Sequence, residues 1–488
     1  MRYLSTRGGD AVSAAQAIVM GISPSGGLFV PESFPKLDSA SLSGNYRDDA
    51  FKVMSLYLTE TDPEKLKDII NRAYDRFDTK DVAPVVRLTE TESVLELWHG
   101  PTMAFKDVAL QILPYLMKES LVQTGEDHTV YILVATSGDT GKAALEGFRD
   151  VEGTRVLVFY PYGGVSRMQR LQMVTQEGAN MDVCAVRGNF DDAQTGVKQI
   201  FGSEEMKREL GDAGYRLSSA NSINFGRLLP QIVYYFTSYR ALVDSGRISM
   251  GDPVNFCVPT GNFGDILAGY YAVRMGLPVH KLICASNRNN VLTDFFRNGL
   301  YNANRPFYKS MSCSIDILVS SNLERLLFEI TDRNTETVTE WMRSLKSEGT
   351  YSIPEGQRKA LSELFEADWC SEEDTLQTIR RVFGSRGYLM DPHTAVAQTV
   401  YERYTERTGD STQTILLSTA NPYKFASDVL SIFETPGMDD FENAERLRQI
   451  TGKGIPANLR ELRRKPELHT DVCNLNEMPE RVRFGVSK

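Results

Sequence analysis

Lys106 stands where the chain could make a lysine a nucleophile. It lies in His99-Gly100-Pro101-Thr102-Met103-Ala104-Phe105-Lys106-Asp107, which follows the apolar run Val94-Leu95-Glu96-Leu97-Trp98. That run alternates and carries large side chains, as a strand does. Gly100-Pro101 breaks it, and Thr102 can cap a helix that starts near Ala104 and continues through Ala109-Leu110-Gln111-Ile112-Leu113. Lys106 then falls in a helix's first turn, at the mouth left by a strand. The partial positive charge of a helix N-terminus disfavours an ammonium there. Walled by Trp98 and Phe105, such a lysine can have a lowered pKa and serve as a nucleophile or Schiff-base partner. A lone lysine is far more often a surface residue lying over apolar neighbours. The loops further along the chain decide between the two.

Three of those loops suit anions. Thr136-Ser137-Gly138-Asp139-Thr140-Gly141-Lys142 joins a strand to a helix with small hydroxyls and two glycines, a nest of backbone N–H groups. Its spacing is not GxxxxGK[ST], so a nucleoside-triphosphate loop is not expected. Pro259-Thr260-Gly261-Asn262-Phe263-Gly264-Asp265 opens onto a helix from Ile266, and its glycines allow close approach of a phosphate to a helix N-terminus. Ser218-Ser219-Ala220-Asn221-Ser222-Ile223-Asn224-Phe225-Gly226-Arg227 ends in an arginine able to grip a second anion with two parallel N–H donors. Ser418-Thr419-Ala420-Asn421-Pro422 offers a neutral hydroxyl that a ring nitrogen could meet. In Asp391-Pro392-His393-Thr394, His393 reads as structural as readily as functional. A Schiff-base lysine, a phosphate cradle and a second anion site together fit pyridoxal phosphate, whose aldehyde needs a lysine and whose phosphate needs a nest.

The elements that must position these loops follow a strand-loop-helix rhythm from Val85 onward. The clear strands are 130–135, 155–160, 181–186, 254–258, 281–285 and 414–418, with helical spacing at 167–175, 191–201, 228–242 and 266–275. Strands apolar on both faces, alternating with amphipathic helices, imply an α/β fold with doubly wound parallel sheets, and ligands then sit at the carboxyl ends of the strands. Residues 1–85 read as mainly helical, at 11–20, 52–58 and 64–73. Charged helix formers from Ser320 to Arg386 read as a helical insertion, and 436–488 as a peripheral tail short of strands.

The chain has 488 residues, too many for one ordinary core. Its net charge of −10 leaves no basic excess to neutralise phosphates, against a nucleic-acid partner. No apolar run is long enough to span a bilayer, and the start lacks an apolar core of signal-peptide length. Six cysteines without CxxC spacing read as reduced core residues, and five scattered histidines give a metal site little support. These features predict a soluble, cytoplasmic, multi-domain protein that binds no metal.

The motifs also carry a resemblance. Ser5-Thr6-Arg7-Gly8, His99 through Thr102 with Phe105-Lys106-Asp107, Ala135 through Gly141, Ser219 through Asn224 with Arg227, Gly261 through Asp265, and Thr419 through Pro422 stand in the order found in threonine synthases. The chain resembles that family, among the fold type II (tryptophan-synthase-β-like) pyridoxal-phosphate enzymes, over roughly residues 1–435. The resemblance implies a helical N-terminal domain (1–85), a large cofactor domain (86–125 and 226–435, with the insertion at about 320–386) and a small α/β domain (126–225). It implies that Lys106 carries pyridoxal phosphate, that Gly261, Asn262, Phe263, Gly264 and Asp265 hold the cofactor phosphate, largely through backbone N–H groups, and that Thr419 faces the pyridine nitrogen. Ser137, Thr140, Asn221, Ser222 and Arg227 would grip the substrate, O-phospho-L-homoserine, which water and loss of phosphate turn into L-threonine in the last step of threonine biosynthesis. A monomer or homodimer is expected. Asp139 departs from the asparagine of many relatives, and a carboxylate beside the cofactor's phenolate would be repulsive. The nearest rival within the same chemistry is a phospholyase-type homologue, which eliminates phosphate without completing the addition of water.

Overall fold

The computed structural model describes residues 1–136 and 138–487. Near the start, β1 (Arg2–Ser5), β2 (Val12–Ser13) and β3 (Phe29–Pro31) form an antiparallel sheet ordered β2-β1-β3. The region 1–85 is thus not mainly helical throughout. Its strands are two to four residues long, too short to show a period, while its helices (Ala14–Met20, Tyr46–Ser55, Pro63–Tyr74) do show one.

The chain then lays down β4 (Val85–Arg87), β5 (Glu92–Glu96), β6 (Thr129–Ala135), β7 (Thr154–Pro161), β8 (Met181–Arg187), β9 (Tyr215–Ser218), β10 (Val254–Pro259) and β11 (Val279–Ser286). β12 (Leu300–Asn302) and β13 (Thr350–Ser352) pair with each other, and β14 (Phe365–Trp369), β15 (Thr414–Ser418) and β16 (Asp471–Asn474) follow. The large sheet runs β14-β11-β10-β15-β5-β4, parallel except for β4 against β5. The second sheet runs β16-β8-β7-β6-β9 and is parallel throughout. Each parallel pair needs a crossover, and the helices between the strands supply it, which gives the α/β architecture. Inner strands such as β7 and β10 are buried along their whole length, as their two-sided apolar character requires.

Two segments differ from their sequence reading. The stretch 320–386 is not purely a helical insertion, because it contributes β14, the edge of the large sheet. The tail is not peripheral, because β16 pairs with β8 and completes the second sheet. Behind it, Met478 and Val482 are fully buried against the core that holds Tyr131 and Phe159. Both strands lie at sheet edges and are half-exposed, so neither forms an apolar run.

The helix Phe225–Asp244 is buried on nearly all sides and packs on the helices Gly264–Met275, Tyr46–Ser55 and Lys106–Leu110. It ties the N-terminal region to the large sheet and carries Arg227 at its start. Among the described residues, no helix is long and apolar enough to cross a membrane, and all six cysteines are free.

Candidate active site

The turns after β5, β6, β9, β10 and β15 converge on one cavity of about 520 Å³. Carboxyl strand ends are where open parallel sheets place ligands. Lys106, Thr140, Asn221, Ser222, Arg227, Gly261, Asn262, Phe263, Gly264, Asp265 and Thr419 all line it; Ser137 lies outside the described residues.

Lys106 is the first residue of the short helix Lys106–Leu110. Its Nζ donates to Ser314 Oγ at 3.2 Å and stands 3.8 Å from Asp139 Oδ2 and 5.3 Å from the centre of the Phe105 ring. Burial lowers its pKa; Asp139 opposes the shift, and Lys424 and Arg227 reinforce it. Two details of the surroundings differ from the sequence reading. Thr102 does not cap the helix: its N–H and hydroxyl both donate to the Asp107 carboxylate, which reaches back to them. Trp98 stacks on His99 at 4.3 Å and donates to Ser418 Oγ, so of the two expected aromatic walls only Phe105 borders the cavity.

Asp139 is buried beside this amine, and Lys424 answers its charge. Lys424 Nζ lies 2.8 Å from Asp139 Oδ1 and donates to Thr102 O at 2.8 Å. Burial pushes the Asp139 carboxyl up, but Lys424 and Lys106 outweigh it and hold it well below the usual carboxylate range. The repulsion expected from a bare carboxylate here is therefore offset by two lysines.

The turn after β10, where an anion is expected, leaves N–H groups free among the described residues and ties up its carbonyls. Ser320 Oγ donates to Gly261 O at 2.8 Å, and Asn322 Nδ2 donates to Asn262 O at 3.1 Å. Those bonds occupy the carbonyls. Phe263 takes left-handed backbone (φ 63°) and begins the helix Gly264–Met275 with no side-chain cap. Strain of this kind in a non-glycine residue persists where surrounding structure enforces it, often at functional sites. Among the described residues, nothing accepts from the N–H groups of Asn262, Phe263, Gly264 or Asp265, so free donors and the positive end of a helix dipole border the cavity. A Cβ on Gly261 would meet Ser314 O at 2.9 Å and Ile315 Cα at 3.1 Å. Gly261→Ala should cost about 1–3 kcal/mol of stability by overpacking, read as a lower thermal midpoint.

Asp265 brings its N–H to this cradle but turns its carboxyl towards tyrosines. Tyr234 and Tyr235 both donate to Oδ1, the latter at 3.1 Å. Burial pushes this carboxyl up to about 7, although the tyrosine hydroxyls lower it. A folded-state pKa above the unfolded value of about 4 makes stability fall as pH rises from about 4 through about 7. Asp265→Asn should flatten that fall, measured by urea unfolding across the same range.

The expected second anion site centres on Arg227, which is 3% exposed. Its Nη1 donates to Ala220 O at 2.7 Å, while its Nε has no partner among the described residues. Burial alone lowers its pKa, to about 10, so it stays charged at neutral pH. A buried cation with spare donors is a receptor for an anion. Ser222 Oγ donates to Asn221 Oδ1 at 3.2 Å, and Asn322 Nδ2 reaches Ser222 Oγ at 3.3 Å, so one side chain bridges the cradle and the Ser222 loop.

His393 acts through a neighbour. Its Nε2 accepts the Ser314 N–H at 3.0 Å, which leaves the proton on Nδ1 to face Asp391 Oδ1 at 2.8 Å. Ser314, Asn322 and Lys424 escaped the sequence reading. Only Lys424 left a signal: a lysine inside the apolar run Pro422-Tyr423-Lys424-Phe425-Ala426.

Three family models match the chain: the threonine synthase N terminus over residues 2–74, pyridoxal-phosphate dependent enzymes over 93–358, and the threonine synthase C-terminal region over 394–484. The last of these includes the tail that the sequence reading left unmatched. The chain is 37% identical to human threonine synthase-like 1 over 94% of its own length, spanning 64% of that protein. It is 38% identical to threonine synthase of Saccharomyces cerevisiae, covering 92% of this chain and 93% of that one. The crystal structure of pyridoxal-phosphate-bound threonine synthase from Brucella melitensis matches over 100% of both chains, with a TM-score of 0.89 and 35% identity.

Proposed function

The chain belongs to the threonine synthase family, and from that premise we propose that it uses pyridoxal phosphate to convert O-phospho-L-homoserine and water into L-threonine and phosphate. One observation carries the reading: a single cavity joins a buried lysine of lowered pKa to two separate anion receptors, the uncapped helix start at Phe263 and the Arg227 guanidinium. Those groups fit the cofactor, whose aldehyde needs the first and whose phosphate needs a nest of N–H donors. Lys106 would hold it covalently, the N–H groups from Gly261 to Asp265 would take its phosphate, and the Thr419 hydroxyl would face its pyridine nitrogen.

Bound there, the cofactor supplies a ring that takes up the electrons released at the substrate's α-carbon. The chain's own residues do the rest. Lys106 Nζ takes the Cα proton and moves a proton at Cβ, as a general base and acid whose burial keeps the amine available. Arg227, Thr140, Asn221 and Ser222 grip the carboxylate and phosphate ends, orient the chain between them and stabilise the departing phosphate. A neutral hydroxyl at Thr419 would leave the pyridine nitrogen unprotonated more often than a carboxylate would. The free cysteines suit a reducing compartment, and we place the reaction in the cytoplasm, on a monomer or homodimer.

The test is a visible absorption spectrum of the purified chain with and without O-phospho-L-homoserine, together with product analysis. A cofactor band that shifts with substrate, and threonine released in step with phosphate, are expected. Oxobutyrate as the main product would move the assignment to a phospholyase, and a colourless chain that takes up no cofactor would end it.

A further inference from the structure

We propose that Lys424 is the positioning residue that keeps Lys106 nucleophilic, by holding the charge of Asp139. The inference rests on the reading of Lys106 as the cofactor-bearing lysine. An opposite charge within a few ångströms favours the charged form of a lysine, and burial strengthens the attraction. Asp139 alone, at 3.8 Å from Lys106 Nζ, would hold that amine as an ammonium, which is no nucleophile. Lys424 lies closer, 2.8 Å from the other carboxylate oxygen, with its side chain only 1% exposed. Its donation to Thr102 O fixes the ammonium where it stands.

Two cations thus share one carboxylate. The closer one, Lys424, takes up most of its charge, and Lys106 stands 1 Å further off, at 3.8 Å. The charges around them agree: Asp139, Lys424, Cys313 and Arg227 act on Lys106, His393 acts on Asp139, and Asp107 is paired electrostatically with Lys424. Lys106 and Lys424 are the two lysines paired with Asp139, so removing Lys424 leaves Lys106 the nearest answer to Asp139. This also explains why a carboxylate at 139 is compatible with the chemistry: the pair Asp139–Lys424 is close to neutral as a unit.

The experiment follows acylation of Lys106 by acetic anhydride against pH, read by peptide mass spectrometry, on the full chain after hydroxylamine has removed bound cofactor. Lys424→Met should raise the pH of half-labelling by about one pH unit or more. Lys424→Arg should restore it. Asp139→Asn/Lys424→Met should return it to within about half a pH unit of the parent chain. A merely loosened fold would raise the midpoint in the single and the double variant alike, so a double variant that stays high overturns the proposal, as does a single variant that does not move. If Lys424→Met does not fold, Asp139→Asn decides: it should move the midpoint down, and no movement overturns the idea. Uptake of pyridoxal phosphate by the parent chain is measured on the same preparation. No uptake would sink the functional reading, whereas normal uptake with an unmoved midpoint would sink only the role of Lys424.

Discussion

Lys106→Ala should cut threonine release by at least about a thousandfold and leave the chain unable to retain cofactor through a covalent bond. General acid–base catalysis by one positioned side chain is worth about 10²–10⁴ in rate, and Lys106 is assigned both that role and the covalent hold. The loss should be chemical and not structural. Ser314 Oγ, which Lys106 contacts, still has Asp139 Oδ2 at 3.4 Å, and alanine is at home in a helix's first turn. The decisive measurement is the intact mass after borohydride reduction, alongside assays of threonine and phosphate. The parent chain should gain the mass of the cofactor and the variant should not. A variant that still gains it, through Lys424 or another amine, would show that the wrong lysine has been chosen.

Arg227→Ala should lower kcat/KM for O-phospho-L-homoserine by roughly 30- to 1000-fold, the rate equivalent of about 2–4 kcal/mol. An anion that binds in the ground state and leaves in the transition state draws on the same guanidinium twice, so KM should rise and kcat should fall. Arg227→Lys should recover only part, because an ammonium lacks the planar fork. Stability should move the other way. Arg227 is buried with one donor unpartnered and no carboxylate offsetting its desolvation, so the alanine variant should unfold at the same or a higher urea concentration. A variant with unchanged kcat/KM would remove Arg227 from the substrate site.

The strand ends were legible because burial on two faces writes itself as a continuous apolar run. The loops after them stand out as Gly, Ser, Thr and Asn against that background. β10 and β15 illustrate this: their expected and observed spans agree to within a residue, and Gly261 and Thr419 follow directly. What could not be read is what depends on partners distant in sequence. Ser314 reaches Lys106 from a stretch with no period, and Asn322 meets Asn262 and Ser222 only after the chain has folded. The charge of Asp139 made sense only beside Lys424. Edge strands fail for a different reason. β14 and β16 have water on part of their surface, so the pattern that marks a strand is diluted in both.

The pairing of β16 with β8 sets an order for the molecule's birth. On a ribosome, β6, β7, β8 and β9 emerge long before residues 471–474, so the second sheet must wait with its β8 edge uncovered. An uncovered edge is an invitation to pair with a neighbouring chain. The large sheet waits too, for β15 to join β10 to β5, but it closes before β16 emerges. The half that carries Lys106, the 261–265 turn and Thr419 can therefore be complete while the half that carries Thr140 is still unsealed. A nascent chain stalled between residues 418 and 471 would present a finished cofactor cradle beside an adhesive edge, a state in which early capture of cofactor and protection by a chaperone would both be of use.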